Sequence, residues 1–188
     1  MNARLAALSP ADLNPEQHAV YRAITGGPRA DGPQTFPLTD EEGTLRGPFN
    51  AMLLSPPVGH AVQALGAAVR YGTVLTDRAR ELAILAVAAH WNSAFERESH
   101  EAVGRAAGLT EPELKALREG TAPPLDDLAE RAVLQTAFSL LRRGTLGDDE
   151  YADAVSAVGE RGLFELTTLV GYYGILALQL RVFTGEGP

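Results

Sequence analysis

The chain has 188 residues, a length suited to one domain able to bury enough surface to fold without a disulfide or metal staple. Its 45% hydrophobic and 21% charged residues exclude disorder for the bulk of the chain. Sixteen Lys and Arg against 24 Asp and Glu give a net charge of -8, which argues against general nucleic-acid binding. The absence of cysteine excludes disulfides, thiolate metal sites, iron–sulfur clusters and thiol redox cycles.

The N-terminal stretch to Gln17 has no apolar run long enough for a secretory signal, so a cytoplasmic location is expected. The first helix opens at Asn14-Pro15-Glu16-Gln17, a capping-box pattern, and runs to about Ile24. Residues 26–48 are rich in Gly, Pro, Asp and Thr. They read as an irregular arm of the kind that can lie across a neighbouring subunit. A short helix is expected from Phe49 to Leu54, a break at Ser55-Pro56-Pro57, and a helix from about Val58 to Tyr71. Thr76 or Asp77 caps the next, Arg78 to Trp91, whose stretch Leu82 to Ala89 is apolar on all sides and therefore central. Asn92-Ser93 breaks it, and a partner helix follows from Ala94 to Ala107, closed by Gly108.

Thr110-Glu111-Pro112-Glu113 is a second capping box and opens a helix to Arg118. Further helices are expected at about Asp126 to Arg142, Asp148 to Glu160 and Leu163 to Phe183. The apolar run Leu166 to Leu180 is shorter than the roughly 20 residues that span a bilayer, and reads as a core helix. Strand signals are nearly absent. The expected fold is one all-α domain over residues 1–188: a compact bundle of about seven or eight helices around a central antiparallel hairpin.

There is no phosphate loop, no dinucleotide fingerprint and no His-Glu-x-x-His. His18, His60, His90 and His100 are scattered, so no metal and no cofactor is expected, although Glu81, Glu96 and His100 would be the set to hold a metal. Those three residues carry the chemistry. Glu96 and His100 are four apart and share a helical face; Glu81 lies on the first turn of the apolar helix; Ser93 precedes Glu96 by three. A hairpin brings all four together, and a carboxylate beside an imidazole is a general acid–base pair. Each also has a plain structural use. Glu81 suits a helix start, Ser93-x-x-Glu96 fits a capping box, and His100 suits a charged surface. Glu81, Glu96 and His100 are the catalytic candidates. Ser93, His90 and Tyr172 are candidates to touch substrate, although His90 reads first as a helix-end histidine, and Tyr172 and Tyr173 read first as core with one of them able to reach the pocket.

Arg80-Glu81-Leu82-Ala83-Ile84-Leu85, then His90-Trp91, Phe95-Glu96, His100 and Ala106-Ala107-Gly108-Leu109, resembles the central signature of the carboxymuconolactone decarboxylase family, within the alkyl hydroperoxidase D-like (AhpD-like) superfamily. Gly47-Pro48-Phe49 with Leu54-Ser55-Pro56, and Gly171-Tyr172-Tyr173, extend the likeness over about residues 45–183. The redox branch of that superfamily carries a glutamate, a Cys-x-x-Cys and a histidine. On this chain those positions hold Glu81, Ser93, Glu96 and His100, so the Glu and His remain and both sulfurs are gone. Neither Ser nor Glu cycles through a sulfenic acid, which argues against a peroxidase.

The resemblance implies a cofactor-free decarboxylase or lyase acting on a small lactone or cyclic carboxylic acid. His100 would donate a proton and one of Arg46, Arg70, Arg78, Arg80 and Arg97 would anchor a carboxylate. It also implies a homo-oligomer (dimer, trimer or hexamer), with a small-molecule substrate and neither nucleic acid nor membrane as partner. A non-catalytic binding or assembly protein on the same fold is the alternative, and a thiol peroxidase the least favoured reading. A buried Glu–His pair facing a closed pocket would favour the enzyme, and a pocket filled by Phe or Trp would favour the non-catalytic protein.

Overall fold

The computed structural model describes residues 4–27, 29–30 and 37–184. After a short 3-10 turn at Pro10–Asp12 come α1 (Pro15–Thr25), α2 (Phe49–Met52), α3 (Pro56–Tyr71), α4 (Asp77–His90), α5 (Ala94–Ala106), α6 (Glu111–Arg118), α7 (Leu128–Arg143) and α8 (Asp148–Thr184). Among the described residues the single β feature is an isolated antiparallel bridge between Thr39 and Leu45. The fold is all-α, as expected. The chain divides into two compact units, one of residues 1–71 with 178–188 and one of residues 72–177.

In the first unit α3 packs on α1 and α2. The α1 capping box forms: Asn14 Oδ1 accepts from Gln17 N at 2.9 Å, and Gln17 Oε1 accepts from Asn14 N at 2.9 Å. The α2–α3 corner is tight. A Cβ on Gly59 would lie 2.0 Å from the Met52 carbonyl oxygen, so only glycine fits. Two boundaries differ from expectation. The short helix stops at Met52 rather than Leu54, and α3 starts at Pro56 rather than Val58. Proline is at home in a first turn, where its missing N–H has no acceptor to lose, so Pro56-Pro57 opens the helix instead of breaking the chain ahead of it.

Of the expected arm, residues 28 and 31–36 lie outside the described residues. Its second part folds onto its own unit. Asp40 Oδ1 accepts from Glu42 N and Thr44 N, Gly43 turns at φ 82, the Tyr21 hydroxyl donates to the Gly43 carbonyl at 2.8 Å, and Leu45 is buried. Arg29 adds a hydrogen bond from Nη2 to the Gln63 carbonyl at 2.9 Å.

The second unit is built around α4. Thr76 caps it, its hydroxyl accepting from Ala79 N at 3.2 Å, and every residue from Ala79 to Ala88 is buried. An element buried all round must be packed on several sides, and α4 contacts α5, α6 and α7. Small side chains at Ala79, Ala83, Ala86 and Ala88 permit that close approach. Asn92, at φ 49, reverses the chain after His90, and Ser93 N donates back to the Ala88 carbonyl at 2.9 Å. The expected α4–α5 antiparallel hairpin is thereby made. Asp127 caps α7 by accepting from Ala129 N and Glu130 N, which places the helix start at Leu128 rather than Asp126. The two last expected helices are one element with a break at Gly159, whose φ of 72 and ψ of 168 are non-helical. Beyond it, Leu163, Leu166, Leu169, Tyr173, Leu176 and Ala177 form the buried stripe of a core helix. By length and apolar composition alone α8 would also suffice to cross a membrane.

Ion pairs tie the helices of this unit. Arg78 on α4 donates from Nε to Glu130 of α7 and from Nη2 to Glu113 of α6, each at 2.8 Å, and from Nη1 to the Gly108 carbonyl. Arg118 of α6 donates to both oxygens of Glu101 on α5, at 2.5 and 2.7 Å. The Arg118 hydrogen bonds hold the Glu101 carboxyl below its usual range against the opposing effect of burial. A depressed carboxylate contributes stability above its unfolded value of about 4.3, and loses it as pH falls through the lower folded value. Glu101→Gln should therefore be less stable than wild type at pH 7, with the gap closing as pH drops below about 4.3 in urea unfolding. A gap independent of pH would show that the pair does not act through charge.

Candidate functional site

The α4–α5 hairpin brings three of the expected residues together in the interior. Glu81 is 0% exposed, Glu96 4% and His100 5%. His100 Nδ1 lies 2.7 Å from Glu81 Oε2, and its Nε2 lies 3.5 Å from Glu96 Oε2. The imidazole is thus strung between two carboxylates, one at hydrogen-bond distance and one just beyond firm hydrogen-bonding range. The charge-bearing side chains cost too much to bury alone, and pairing offsets that cost.

With Glu81 ionised, Nδ1 donates to it, since an ionised carboxylate only accepts. A proton that joins Nε2 and Glu96 can then sit on either of them, so the Glu96 end of the line can exchange one proton. A chain of this kind transfers protons without a change in heavy-atom positions.

Ser93, the residue just before α5, is the fourth expected residue. It is 0% exposed and sits at the N-cap of α5, yet its hydroxyl makes no capping bond, and Oγ has no hydrogen-bond partner among the described residues. Its backbone N–H goes to Ala88, so the Ser93-x-x-Glu96 capping box does not form. Glu96 turns toward His100 instead. Ser93→Ala should accordingly leave stability unchanged or raise it, since a capping serine would cost about 1 kcal/mol and a buried unpartnered hydroxyl costs nothing to delete. Thermal unfolding of the variant checks this; a drop as large as a lost cap would restore the structural role.

The other two candidates fare differently. His90 is exposed at the end of α4 and packs edge-on against Trp91, with ring centroids 5.6 Å apart, so the structure does not bring it to the buried group. Its placement gives no support to the reading of His90 as a substrate contact, because α4 is buried from Ala79 to Ala88 and His90 lies beyond that stretch. Tyr172 is buried but meets Tyr173, at 5.2 Å, while it is Tyr173 whose ring stands against His100 at 5.0 Å and 88°. Tyr173 is four residues after Leu169 and seven after Leu166, both buried, and that spacing was the signal that could have chosen it.

A second residue the sequence left unchosen is Arg80. It is 8% exposed and its Nε lies 3.5 Å from Glu81 Oε1. Arg78, by contrast, is committed to Glu113, Glu130 and Gly108. Arg97 lines a small cavity with Glu101 and Arg118, and Arg46 and Arg70 belong to the first unit. Among the described residues no group of three or more His, Asp or Glu is arranged to hold a metal ion.

Residues 56–138, which contain this hairpin, match the sequence profile of the carboxymuconolactone decarboxylase family. The central part of the chain is thus similar to that family, and the match does not extend to the residues on either side. No curated protein matches it in sequence. Solved structures of the same fold include the AhpD core of an uncharacterised peroxidase-related protein from Ralstonia eutropha JMP134, at TM-score 0.74 and 13% identity over 100% of this chain and 93% of that one. A peroxidase-related protein from Silicibacter sp. TM1040 aligns at TM-score 0.69 and 14% identity, over 99% and 91%. The debrominase Bmp8, in a cysteine-to-alanine variant complexed with 2,3,4-tribromopyrrole, aligns at TM-score 0.69 and 16% identity, over 95% and 88%. The chain has no cysteine, so the site works without a thiol.

Proposed function

We propose that the chain is a cofactor-free carbon–carbon lyase that removes carbon dioxide from a small carboxylated lactone or cyclic carboxylic acid. The observation that carries this reading is the buried line Glu81–His100–Glu96, in which the imidazole lies between two carboxylates. In the reaction the bond to the carboxylate breaks, carbon dioxide leaves, and the electron pair passes into the conjugated lactone as a dienolate. Glu96 delivers the shared proton to carbon, which leaves Glu96 ionised and His100 Nε2 bare, and a proton from solvent restores the starting state once product has left. Glu81 holds the imidazole in the tautomer this needs. The unpartnered Ser93 hydroxyl offers a hydrogen bond to the lactone oxygen, where negative charge develops. Glu96, rather than His100, is the group that meets substrate, because both ring nitrogens of His100 face carboxylates.

The test is carbon dioxide release by metal-free protein from a panel of carboxylated butenolides and cyclic acids. Turnover above buffer is expected for at least one. The same protein should not turn over hydroperoxides with thiol donors, because no side chain here forms a sulfenic acid and a resolving disulfide. Sustained donor oxidation would contradict that. One observation favours a second reading, a non-catalytic binding or assembly protein: Glu81 and Ser93 are fully closed from solvent. Silence across the whole panel would support it.

A further inference from the structure

We propose that Arg80 is a positioning residue of this site: its buried guanidinium holds Glu81 as a charged carboxylate, and so keeps the mobile proton of His100 on the Nε2 side facing Glu96. This rests on the reading of Glu96 as the proton-transfer group.

Neighbouring residues on a helix point about 100° apart and do not normally meet. Arg80 nevertheless lies with Nε 3.5 Å from Glu81 Oε1, and the two carboxylate oxygens divide their work, Oε1 toward Arg80 and Oε2 toward His100. Its other ion pair, Nη1 to Asp77 Oδ1 at 3.0 Å, is with a carboxylate that is 77% exposed, and such a pair is screened by water. An exposed partner does not account for an arginine that is 8% exposed. Arg80 Nε makes no hydrogen bond among the described residues, so the guanidinium is held inside mainly by the charge it faces.

The consequence lies one residue further on. A charged Glu81 accepts only, and Nδ1 of His100 must donate to it. Nε2 then carries the lone pair or the proton exchanged with Glu96. A neutral Glu81 would donate to Nδ1 instead, fix the ring proton on Nε2, and leave no base facing Glu96. The cation on Glu81 therefore decides which ring nitrogen is available.

The experiment is nitrogen-15 NMR of histidine side chains in the full chain at neutral pH, with His100 assigned by its loss in His100→Gln. In wild type, Nδ1 of His100 is expected to be protonated. In Arg80→Gln the Nδ1 resonance should move to the range of a bare ring nitrogen while Nε2 becomes protonated. Arg80→Lys, which keeps the charge, should retain the wild-type pattern. Circular dichroism establishes that each variant is folded. A bare Nδ1 in wild type or in Arg80→Lys would overturn the proposal, as would a protonated Nδ1 in folded Arg80→Gln. If Arg80→Gln does not fold, the first two spectra decide. The readout needs no substrate, so absent turnover would count against the lyase reading and not against this role of Arg80.

Discussion

Glu96→Gln is expected to lower kcat about 10²- to 10⁴-fold, the range that a positioned general acid contributes, with KM changed little. Glutamine keeps the shape and the hydrogen-bonding capacity of the side chain and loses only the transferable proton. Glu96 is 4% exposed, so bulk water cannot readily take its place. His100→Ala would also abolish the relay, but it weakens the pairing of buried Glu81 and mixes a stability effect with the chemical one. The measurement is steady-state carbon dioxide release by the folded variant beside wild type. A variant within a few fold of wild type would remove Glu96 from the reaction.

The largest expected effect on stability comes from Leu82→Ala, about 2–5 kcal/mol. Leu82 is 0% exposed on the helix that α5, α6 and α7 all pack against, so the surroundings have little freedom to collapse into the space left. That loss is a large share of the about 5–15 kcal/mol by which domains are stable. Leu128 is the control. It is 73% exposed, and Leu128→Ala should change stability by less than about 0.5 kcal/mol. Urea unfolding of both variants checks the pair of values. Similar losses in the two would contradict the placement of α4 at the centre of its unit.

Much of this arrangement was readable from the chain. Asn14, Thr110 and Gly108 announced helix ends by local chemistry, and local chemistry is what a sequence states most directly. The unbroken apolar run after Glu81 marked α4 as central, and the spacing of Glu96 and His100 put both on one face. Two readings needed more than composition and short motifs. Helix phase along α8 selects Tyr173 over Tyr172 by a single residue, and both are aromatic neighbours in an apolar run, so composition does not separate them. The use of Ser93 depended on where its hydroxyl points. The Ser-x-x-Glu pattern permits a cap and a site equally, and only the turn at Asn92, which sends the Ser93 N–H to Ala88, decides between them. His90 lies within the signature in sequence and is exposed in the fold, because α4 ends there.

The most direct test of the buried proton line is decarboxylation by metal-free protein in deuterium oxide, with the product examined by mass spectrometry and proton NMR. A fixed acid inside a closed site delivers its proton from one direction. The expected product carries one deuterium on carbon, on a single face, and its formation is lost in Glu96→Gln. Deuterium spread equally over both faces, or a rate unaffected by Glu96→Gln, would mean that solvent protonates the intermediate and that the Glu81–His100–Glu96 line takes no part.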